Sequence, residues 1–259
     1  MELNGKVVVV TGAGRGIGEG LVRRFRAEGA KVLAADIDEE AVQAVAADTG
    51  SLARTADVAD EGDIRALVDT AEAELGPIDL FCSNAGIGPS GGVDMPDEVW
   101  QTIWEINTMS HVYAARACLP GMLARGQGYL LQTVSAAGLL TNLGAAAYSV
   151  TKHAALGLAE WLSVTYGDRG IRVSALCPQF VQTDLLSSLA SDPAVAGWVK
   201  SATISVEDVA EAVVQGLAAE RFLILPHPEV ATYFERKADD YDRWLAGMRK
   251  LQASLGLEV

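Results

Sequence analysis

Short apolar runs alternate with longer segments of mixed polarity along most of the chain. The apolar runs show no alternation between hydrophobic and polar positions, which is typical of parallel strands covered on both faces. The longer segments carry apolar residues three and four positions apart, as amphipathic helices do. This rhythm predicts an α/β fold with a single doubly wound parallel sheet and helices on both faces. The predicted strands are Lys6–Val10, Lys31–Asp36, Ser51–Asp57, Ile78–Ser83, Tyr129–Val134, Ile171–Cys177 and Phe222–Leu225.

Two regions depart from this rhythm. From Gln179 to about Ser205 the chain mixes Ser, Asp, Pro and Leu with one Trp. A connection of this length is usually functional, and we predict a substrate lid over about 179–205. After Leu225 the pattern predicts one C-terminal tail helix over about 228–253, docked on the domain or on a neighbouring subunit. Its apolar stripe consists of Val230, Phe234, Ala238, Tyr241, Leu245 and Met248.

Composition and charge narrow the class of protein. Half of the 259 residues are hydrophobic and 21% are charged, which suits a globular core, and the absence of linkers or repeats predicts one domain over 1–259. The formal net charge is −14, with no basic run to offset it, so no nucleic-acid partner is expected. No apolar run is long enough for a membrane span or a signal peptide. We therefore expect a soluble, cytoplasmic protein.

The cysteines and histidines are few and scattered. There is no Cys-x-x-Cys pair, and the histidine spacing matches no zinc motif, so no metal is expected. An odd, sparse cysteine count also fits a reducing compartment. The residues are Cys82, Cys118 and Cys177, and His111, His153 and His227.

A glycine-rich turn directly follows the first predicted strand. Its glycines are spaced Gly-x-x-x-Gly-x-Gly rather than in the strict Gly-x-Gly-x-x-Gly pattern. Glycines let a backbone approach a pyrophosphate closely, and the following helix presents N–H groups to it. A plain tight turn would use the same residues, but the strand before and the helix after favour dinucleotide binding. The candidate contacts are Gly12, Arg15, Gly16, Ile17 and Gly18.

An acidic residue ends the second predicted strand. Asp36 lies 18 residues beyond Gly18, where a carboxylate can accept hydrogen bonds from adenosine ribose hydroxyls and repel a 2′-phosphate. Ile37 follows it, so no arginine at that position favours the phosphate. These residues predict NAD as the cofactor. Arg15, which could contact a phosphate from the glycine turn, keeps NADP open as the alternative.

A tyrosine and a lysine four residues apart form the candidate catalytic pair. Tyr148 and Lys152 lie one above the other on a predicted helix, and a nearby ammonium favours the phenolate. Ser135 lies thirteen residues before Tyr148, at a predicted strand end, where α/β sheets bind ligands. The same spacing recurs at Tyr233 and Lys237, with no hydroxyl thirteen residues upstream. We predict that this second pair is structural.

Together these segments resemble the short-chain dehydrogenase/reductase family over about residues 3–225. The resemblance implies a Rossmann-like fold and an NAD(P)-dependent enzyme that interconverts a secondary alcohol and a ketone. It implies that Tyr148 is the general acid/base and that Ser135 orients the substrate oxygen. It further implies that Lys152 binds the nicotinamide ribose and lowers the pKa of Tyr148, while Asn107 holds a water in a proton relay. The motifs that carry it are Thr11–Gly18, Asp57-Val58, Asn84-Ala85-Gly86, Asn107, Ser135, Tyr148 with Lys152, and Pro178 to Thr183.

The same resemblance assigns further cofactor contacts. One departure is that Gln179 follows Pro178 where the family usually has glycine. This change leaves two possibilities, an altered loop geometry or a glutamine side chain in the substrate cleft. The implied contacts are Asp57 and Val58 at the adenine, Asn84, Ala85 and Gly86 at the ribose-side strand end, and Pro178, Val181 and Thr183 at the nicotinamide.

The residues expected to line the substrate cleft are apolar and include no cation that could pair with a carboxylate or phosphate. They favour an apolar small-molecule alcohol or ketone, with aryl, aliphatic and steroid-like compounds all open. A sensor or scaffold that binds dinucleotide without turnover is the alternative, and the intact catalytic set argues against it. The lining residues are Ile87, Ala137, Leu139, Leu143, Phe180, Leu185, Leu186 and Trp198.

Two long aromatic-bearing segments predict subunit contacts. In the resembling family, helices such as Asp97–Leu123 and Tyr148–Tyr166 pair across a two-fold axis. The tail supplies a second candidate surface, and the edge strand Phe222–Leu225 would otherwise stay open. We therefore predict a homotetramer, with a homodimer as the alternative.

Overall fold

The central sheet of the described residues consists of seven parallel strands. The structure is a computed structural model that describes residues 1–183 and 202–256. The strands of the sheet are β1 (Val7–Thr11), β2 (Lys31–Asp36), β3 (Leu52–Thr55), β4 (Leu80–Ser83), β5 (Gly128–Thr133), β6 (Ile171–Leu176) and β9 (Leu223–Ile224). Their order is β3-β2-β1-β4-β5-β6-β9. Two short strands outside this sheet, β7 (Phe180–Val181) and β8 (Thr203–Ile204), pair in parallel with each other.

Helices cover both faces of the sheet. They are α1 (Gly16–Ala27), α2 (Glu39–Thr49), α3 (Glu61–Glu74), α4 (Asp97–Trp104), α5 (Ser110–Arg125), α6 (Ala136–Leu139), α7 (Ala146–Tyr166), α8 (Val206–Ala218), α9 (Glu229–Asp239) and α10 (Tyr241–Ser254). One π-helical turn, Glu105–Met109, joins α4 to α5, and a 3₁₀ turn, Gly167–Arg169, follows α7.

The side chains of β1 show why the strands read as continuous apolar runs. Val7 and Val9 pack into a core layer with residues of α3, α5 and α7. Val8 and Val10 pack into the opposite layer with residues of α1, α2 and α8. Because successive side chains point to opposite faces, a strand covered on both faces needs apolar residues at every position. The predicted doubly wound sheet is confirmed, and each predicted strand is present with slightly different bounds.

The direction of the chain crossovers reverses between β1 and β4. From β1 the sheet extends to β2 and β3 on one side, and to β4, β5, β6 and β9 on the other. The loops that follow β1 and β4 therefore leave toward opposite sides and open a crevice at the carboxyl edge, where ligands bind in such sheets.

The predicted helical tail is present, but it consists of two helices rather than one continuous helix. The chain breaks at Asp240, whose backbone is extended and whose carboxylate accepts a hydrogen bond from the Arg243 N–H at 2.9 Å. Asp is a strong helix N-cap, so this residue ends α9 and starts α10. The predicted stripe is divided accordingly: Val230 on α9 is fully buried, whereas Tyr241 and Leu245 on α10 are exposed.

The predicted lid is described only at its two ends. Short strands are present there, since β7 and β8 pair through Phe180 with Thr203 and through Val181 with Ile204. Residues 184–201, with the predicted cleft residues Leu185, Leu186 and Trp198, lie outside the described part of the chain. Within the described ranges, no helix has the length and apolar character to cross a membrane.

Candidate active site

The glycine turn after β1 is closed tightly onto itself. A β-carbon on Gly18 would lie 2.0 Å from the carbonyl oxygen of Gly12, so only glycine fits at this position. The helix that begins here, α1, has Arg15 at its N-cap, and no side chain in the described residues caps it. A helix start that lacks a side-chain cap can direct its N–H groups at an anion. The turn and α1 thus have the form that a pyrophosphate requires.

Asp36 lies at the end of β2, beside this turn, and is largely buried. Its two carboxylate oxygens accept hydrogen bonds from the Gly14 N–H at 2.8 Å and the Asp38 N–H at 3.0 Å. Each oxygen keeps a further lone pair for a ligand hydroxyl. The Arg15 guanidinium is paired with Asp38 at 2.7 Å. Ile37 presents an apolar side chain that is 68% exposed.

Asp57 and Val58 follow β3, the strand next to β2. The main chain there is tied to β2, because the Ala56 N–H donates to the Asp36 carbonyl at 3.0 Å. Val58 is buried, and the Asp57 carboxylate accepts a hydrogen bond from the Ala59 N–H at 2.9 Å. The predicted adenine contacts therefore lie on the same edge of the sheet as Asp36.

Asn84 links three strands where β4 ends. Its amide nitrogen donates to the carbonyl oxygens of Thr11 at 3.0 Å and Gly12 at 3.3 Å. Its amide oxygen accepts a hydrogen bond from the Thr133 hydroxyl at 3.1 Å. The loop that continues through Ala85 and Gly86 is thereby held between β1 and β5.

Asn107 is fully buried at the centre of the π-helical turn. Its amide nitrogen donates to the Ile87 carbonyl at 2.8 Å and to the Thr151 hydroxyl at 3.3 Å. Its amide oxygen accepts the Ile87 N–H at 2.9 Å. Both donors are therefore used within the protein, and one lone pair of the amide oxygen remains. Single π-helical turns within α-helices are frequent at functional sites.

Lys152 is buried without an acidic partner. Its side-chain nitrogen donates to the Thr133 carbonyl at 3.0 Å and lies 5.6 Å from the centre of the Tyr148 ring. Within the described residues it forms no ion pair with a carboxylate. Burial lowers the pKa of Lys152 to about 8. A methyl group on Gly86 would lie 3.4 Å from this nitrogen and 3.2 Å from the Asn107 amide oxygen, which places the three residues together.

Ser135 and Tyr148 face each other at the end of β5. Ser135 caps α6, since its hydroxyl oxygen accepts a hydrogen bond from the Ala137 N–H at 3.1 Å. Burial raises the pKa of the half-buried Tyr148, and its hydrogen bond with Ser135 acts in the opposite direction. The protein's own groups therefore do not produce the lowered tyrosine pKa that the resemblance implies.

Gln179 takes the place of the family's glycine without backbone strain. Among the described residues other than glycine, only Glu220 has a positive φ, so the backbone at Gln179 is one that any residue adopts. Its side-chain oxygen is buried and has no hydrogen-bond partner in the described part of the chain. Thr183 packs against the glycine turn, with its methyl group 3.2 Å from where a β-carbon on Gly16 would lie.

The predicted cleft residues fall into three groups. They differ in burial, and some lie outside the described part of the chain. The buried residues are Ala137 and Leu139, the half-buried ones are Ile87, Leu143 and Phe180, and Leu185, Leu186 and Trp198 are outside the described residues.

Lys237, in the second tyrosine–lysine pair, is buried, which its spacing from Tyr233 in the sequence did not indicate. Its ammonium donates to the carbonyl oxygens of Leu139 at 2.7 Å and Leu140 at 2.8 Å, at the end of α6. It also lies 5.0 Å from the ring centre of Trp244 and 5.4 Å from that of Tyr241. The lysine therefore holds the C-terminal segment against the helix that Ser135 begins.

His111 is a buried group that the sequence pattern also left unassigned. Its Nδ1 lies 2.5 Å from the Gln132 side-chain oxygen, and its Nε2 has no partner among the described residues. Burial, assisted by the charge of Lys152, lowers the pKa of His111 to about 3. The ring is therefore neutral at physiological pH and adds no second charge beside Lys152.

Comparison with known proteins identifies the family. A model described as short chain dehydrogenase matches residues 6–194. The chain belongs to the short-chain dehydrogenase family. The 1-deoxy-11-beta-hydroxypentalenate dehydrogenase of Streptomyces exfoliatus is 36% identical over 249 residues, which cover 93% of this chain and 90% of that protein. The 3beta-hydroxysteroid dehydrogenase 2 of Eggerthella lenta is 33% identical over 209 residues, 78% of this chain and 80% of that protein.

A solved structure of the same family has a closely similar fold. It is a short-chain dehydrogenase/reductase from Burkholderia phymatum in complex with NAD. The two chains superpose with a TM-score of 0.87 at 28% sequence identity, covering 93% of this chain and 96% of the other. This short-chain dehydrogenase therefore has the family's fold along nearly its whole length.

The buried charge of Lys152 leads to a stability prediction. Replacing Lys152 with Met should raise the free energy of unfolding at pH 7 by about 1–3 kcal/mol, because a pKa lowered by burial means that folding disfavours the ammonium. The unfolded chain binds more protons than the folded one between pH 8 and the usual lysine pKa, so the wild type gains stability as the pH rises through that window. Urea unfolding at pH 7, 8, 9 and 10 measures the difference.

The difference in the free energy of unfolding between Lys152→Met and the wild type should therefore become smaller from pH 8 upward. Lys250→Met, on an exposed position of α10, is the control and should change stability by less than about 0.5 kcal/mol at every pH. A Lys152→Met protein that is less stable than the wild type at pH 7, or a gap that widens with pH, would contradict the assignment.

Proposed function

We propose that this protein is an NAD-dependent alcohol dehydrogenase or ketone reductase that acts on an apolar secondary alcohol or the corresponding ketone. The observation that carries the proposal is the grouping of Ser135, Tyr148 and a buried Lys152, which pairs with no carboxylate of the described residues, at the carboxyl edge of the sheet. Two relatives are named as dehydrogenases of hydroxylated compounds, a pentalenate and a steroid. Both names support a substrate that carries a hydroxyl group.

The residues around the crevice fit a nicotinamide dinucleotide. The closed glycine turn and the uncapped start of α1 suit the pyrophosphate, and Asp36 suits the adenosine ribose. The residues that would hold the cofactor are Gly12, Arg15, Gly16, Ile17, Gly18, Asp36, Ile37, Asp57, Val58, Asn84, Ala85, Gly86, Tyr148, Lys152, Pro178, Val181 and Thr183. The nicotinamide, when bound, supplies the hydride exchange and, in its oxidised form, a positive charge.

Tyr148 would exchange a proton with the substrate oxygen. In oxidation its phenolate takes the hydroxyl proton, and in reduction its phenol returns one to the carbonyl oxygen. Ser135, which lies close enough to Tyr148 to influence its pKa, is placed to donate to the same substrate oxygen. Since burial alone raises the pKa of Tyr148, positive charge near the ring has to stabilise the phenolate. Lys152, which with a pKa of about 8 is mostly protonated at pH 7, would supply part of that charge, and the oxidised nicotinamide would supply the rest.

Asn107 would complete the proton path from Lys152. Its two amide donors are used by Ile87 and Thr151, so a water at this point would donate to the remaining lone pair of the amide oxygen or to a main-chain carbonyl. The close approach of Asn107 and Lys152 at Gly86 supports a relay between them.

Cofactor preference tests the site around Asp36. NAD should exceed NADP by at least about tenfold in kcat/KM, or 1.4 kcal/mol, because Asp36 repels a 2′-phosphate and Arg15 is held by Asp38. The double change Asp36→Ala with Ile37→Arg should shift the preference toward NADP. Steady-state kinetics with both cofactors measures this, and equal efficiency in the wild type would refute the assignment.

The ion pair at the glycine turn allows a finer test. Asp38→Asn should release Arg15 and improve NADPH binding, measured by fluorescence titration, by a few-fold with little change for NADH. Asp48→Asn is the matched control, since Asp48 pairs with Arg23 at 3.2 Å on the same side of the sheet. If both variants alter NADPH binding equally, the Arg15–Asp38 pair has no special part in selection.

The acid/base role is tested at the two tyrosines. Tyr148→Phe should lower kcat by about a hundredfold or more, while NADH binding stays within a few-fold because the lost hydroxyl acts on the substrate. Tyr233→Phe, in the second pair, should leave kcat unchanged. Assays with a panel of secondary alcohols and NAD decide the matter. Retained turnover in Tyr148→Phe would exclude this tyrosine, and a wild type without turnover on any alcohol or ketone would favour a sensor or scaffold.

Subunit assembly is a further part of the proposal. Val150, Trp161 and Val164 form an exposed stripe on α7, and Val164 is 87% exposed. An apolar stripe of this kind is typical of a surface that a second subunit covers. We expect a homotetramer, with a homodimer if only one of the two candidate surfaces pairs.

Light scattering at micromolar concentration measures the assembly directly. A tetramer should give four times the 27.2 kDa mass of the chain, and Val164→Arg should reduce the particle to a smaller species. The substitution Gln43→Arg, at an exposed position of α2 outside both candidate contact surfaces, is the control. A monomer in the wild type would contradict the tetramer and the dimer alike.

A further inference from the structure

His227 is a buried histidine between two prolines, just after β9. Only 2% of its surface is exposed, and Pro226 and Pro228 fix the backbone on either side of it. It belongs to none of the sets of residues that the sequence pattern singled out. Its ring reaches the loop that follows β6, 48 positions earlier in the chain.

All polar positions of the His227 ring are used by main-chain groups. The Gln179 N–H donates to Nδ1 at 3.1 Å. Nε2 lies 3.1 Å from the carbonyl oxygen of Phe180 and 3.1 Å from that of Ala202. An N–H can only donate and a carbonyl can only accept, so Nδ1 must be the acceptor and Nε2 must carry the proton. The contacts therefore fix a neutral ring in a single tautomer.

The main chain that His227 holds runs between two parts of the candidate active site. At one end, the Pro178 carbonyl accepts the Ala136 N–H at 2.8 Å, directly beside Ser135. At the other end, Thr183 packs on the glycine turn. His227 is bonded to the middle of this strip, at Gln179 and Phe180, and joins it to Ala202, beside β8.

We propose that His227 is a positioning residue that fixes the Pro178–Val181 main chain and thereby the wall of the substrate cleft. This role rests on the proposed function. His227 touches neither Tyr148 nor Lys152 in any hydrogen bond of the described residues, so its effect is on binding at the cleft, where Pro178 and Val181 would also contact the nicotinamide, rather than on proton transfer. Of its three contacts, the one to Gln179 matters most, because a buried N–H without an acceptor is tolerated less well than an under-used carbonyl.

Side chains that imitate half of the ring provide the test. In Asn, the side-chain oxygen is as far from Cβ as Nδ1 is in His, so His227→Asn keeps an acceptor for Gln179. In Gln, the side-chain nitrogen corresponds to Nε2, so His227→Gln keeps a donor for Phe180 and Ala202. His227→Leu keeps neither. His153→Leu, at an exposed position on α7, is the matched control.

We expect His227→Leu to raise the substrate KM about tenfold, with kcat per folded enzyme reduced less than threefold. In His227→Asn the KM should return most of the way to the wild-type value, and in His227→Gln it should return only part of the way. His153→Leu should resemble the wild type. A loss of thermal stability with unchanged KM and kcat in all three variants would overturn the proposal and leave His227 a purely structural residue. Equal defects in the Leu, Asn and Gln variants would overturn it as well.

Amide hydrogen exchange at Gln179 separates this inference from the proposed function. The Gln179 N–H should exchange slowly in the wild type and in His227→Asn, and much faster in His227→Leu. If the wild type shows no turnover, the proposed function fails, and with it the role in substrate binding. A Gln179 amide that exchanges equally fast in the wild type and in His227→Leu would instead show that the His227 contact itself is absent.

Discussion

Asn84 makes the hydrogen bonds on which the whole site depends. At the carboxyl edge, β1 and β4 stop pairing so that the chain can leave in two directions, and their last main-chain groups need new partners. The Asn84 amide nitrogen donates hydrogen bonds to the carbonyl oxygens of Thr11 and Gly12, and its amide oxygen accepts one from the Thr133 hydroxyl. The Asn84 side chain thus joins the glycine turn, the Ala85–Gly86 loop and the end of β5, and it pairs the carbonyl groups of Thr11 and Gly12.

The second constraint is electrostatic. The chain carries a formal charge of −14, yet no carboxylate of the described residues pairs with Lys152, and a carbonyl oxygen, that of Thr133, accepts its hydrogen bond. His111 nearby is neutral because burial lowers its pKa to about 3. A buried ammonium without a counter-ion destabilises the fold. In the proposed mechanism the same ammonium, left without a counter-ion, helps the oxidised nicotinamide to favour the Tyr148 phenolate, a compromise between stability and activity that is common in enzyme sites.

The sequence predicts the features of this protein that local pattern determines. Two-sided burial makes most of the strands apolar runs, and the positions of Asp36 and Ser135 at predicted strand ends mark them as candidates, whereas Asn84 is indicated only by the family resemblance. Helical periodicity does not predict the break at Asp240, because the apolar stripe continues across a residue that is also a strong N-cap. The spacing of Tyr233 and Lys237 predicts a structural pair but not its contacts, and no pattern assigns a role to His227. The partners of Lys237 and His227 lie 98 and 48 residues away, and such contacts leave no local signal.

The loop at Gln179, where the family usually has glycine, shows how such distant contacts hold part of the site in place. A glycine at this point would leave the loop free to adopt many backbone conformations. Gln179 instead has an ordinary backbone, and its N–H is bound by His227. His227, from the C-terminal segment, therefore sets the shape of this loop. Lys237, from the same segment, holds α6. The Pro178–Val181 loop and α6 thus both depend on residues that follow the last strand of the sheet. Changes in the C-terminal segment can therefore adapt the cleft to substrates of different shape without altering Ser135, Tyr148 or Lys152.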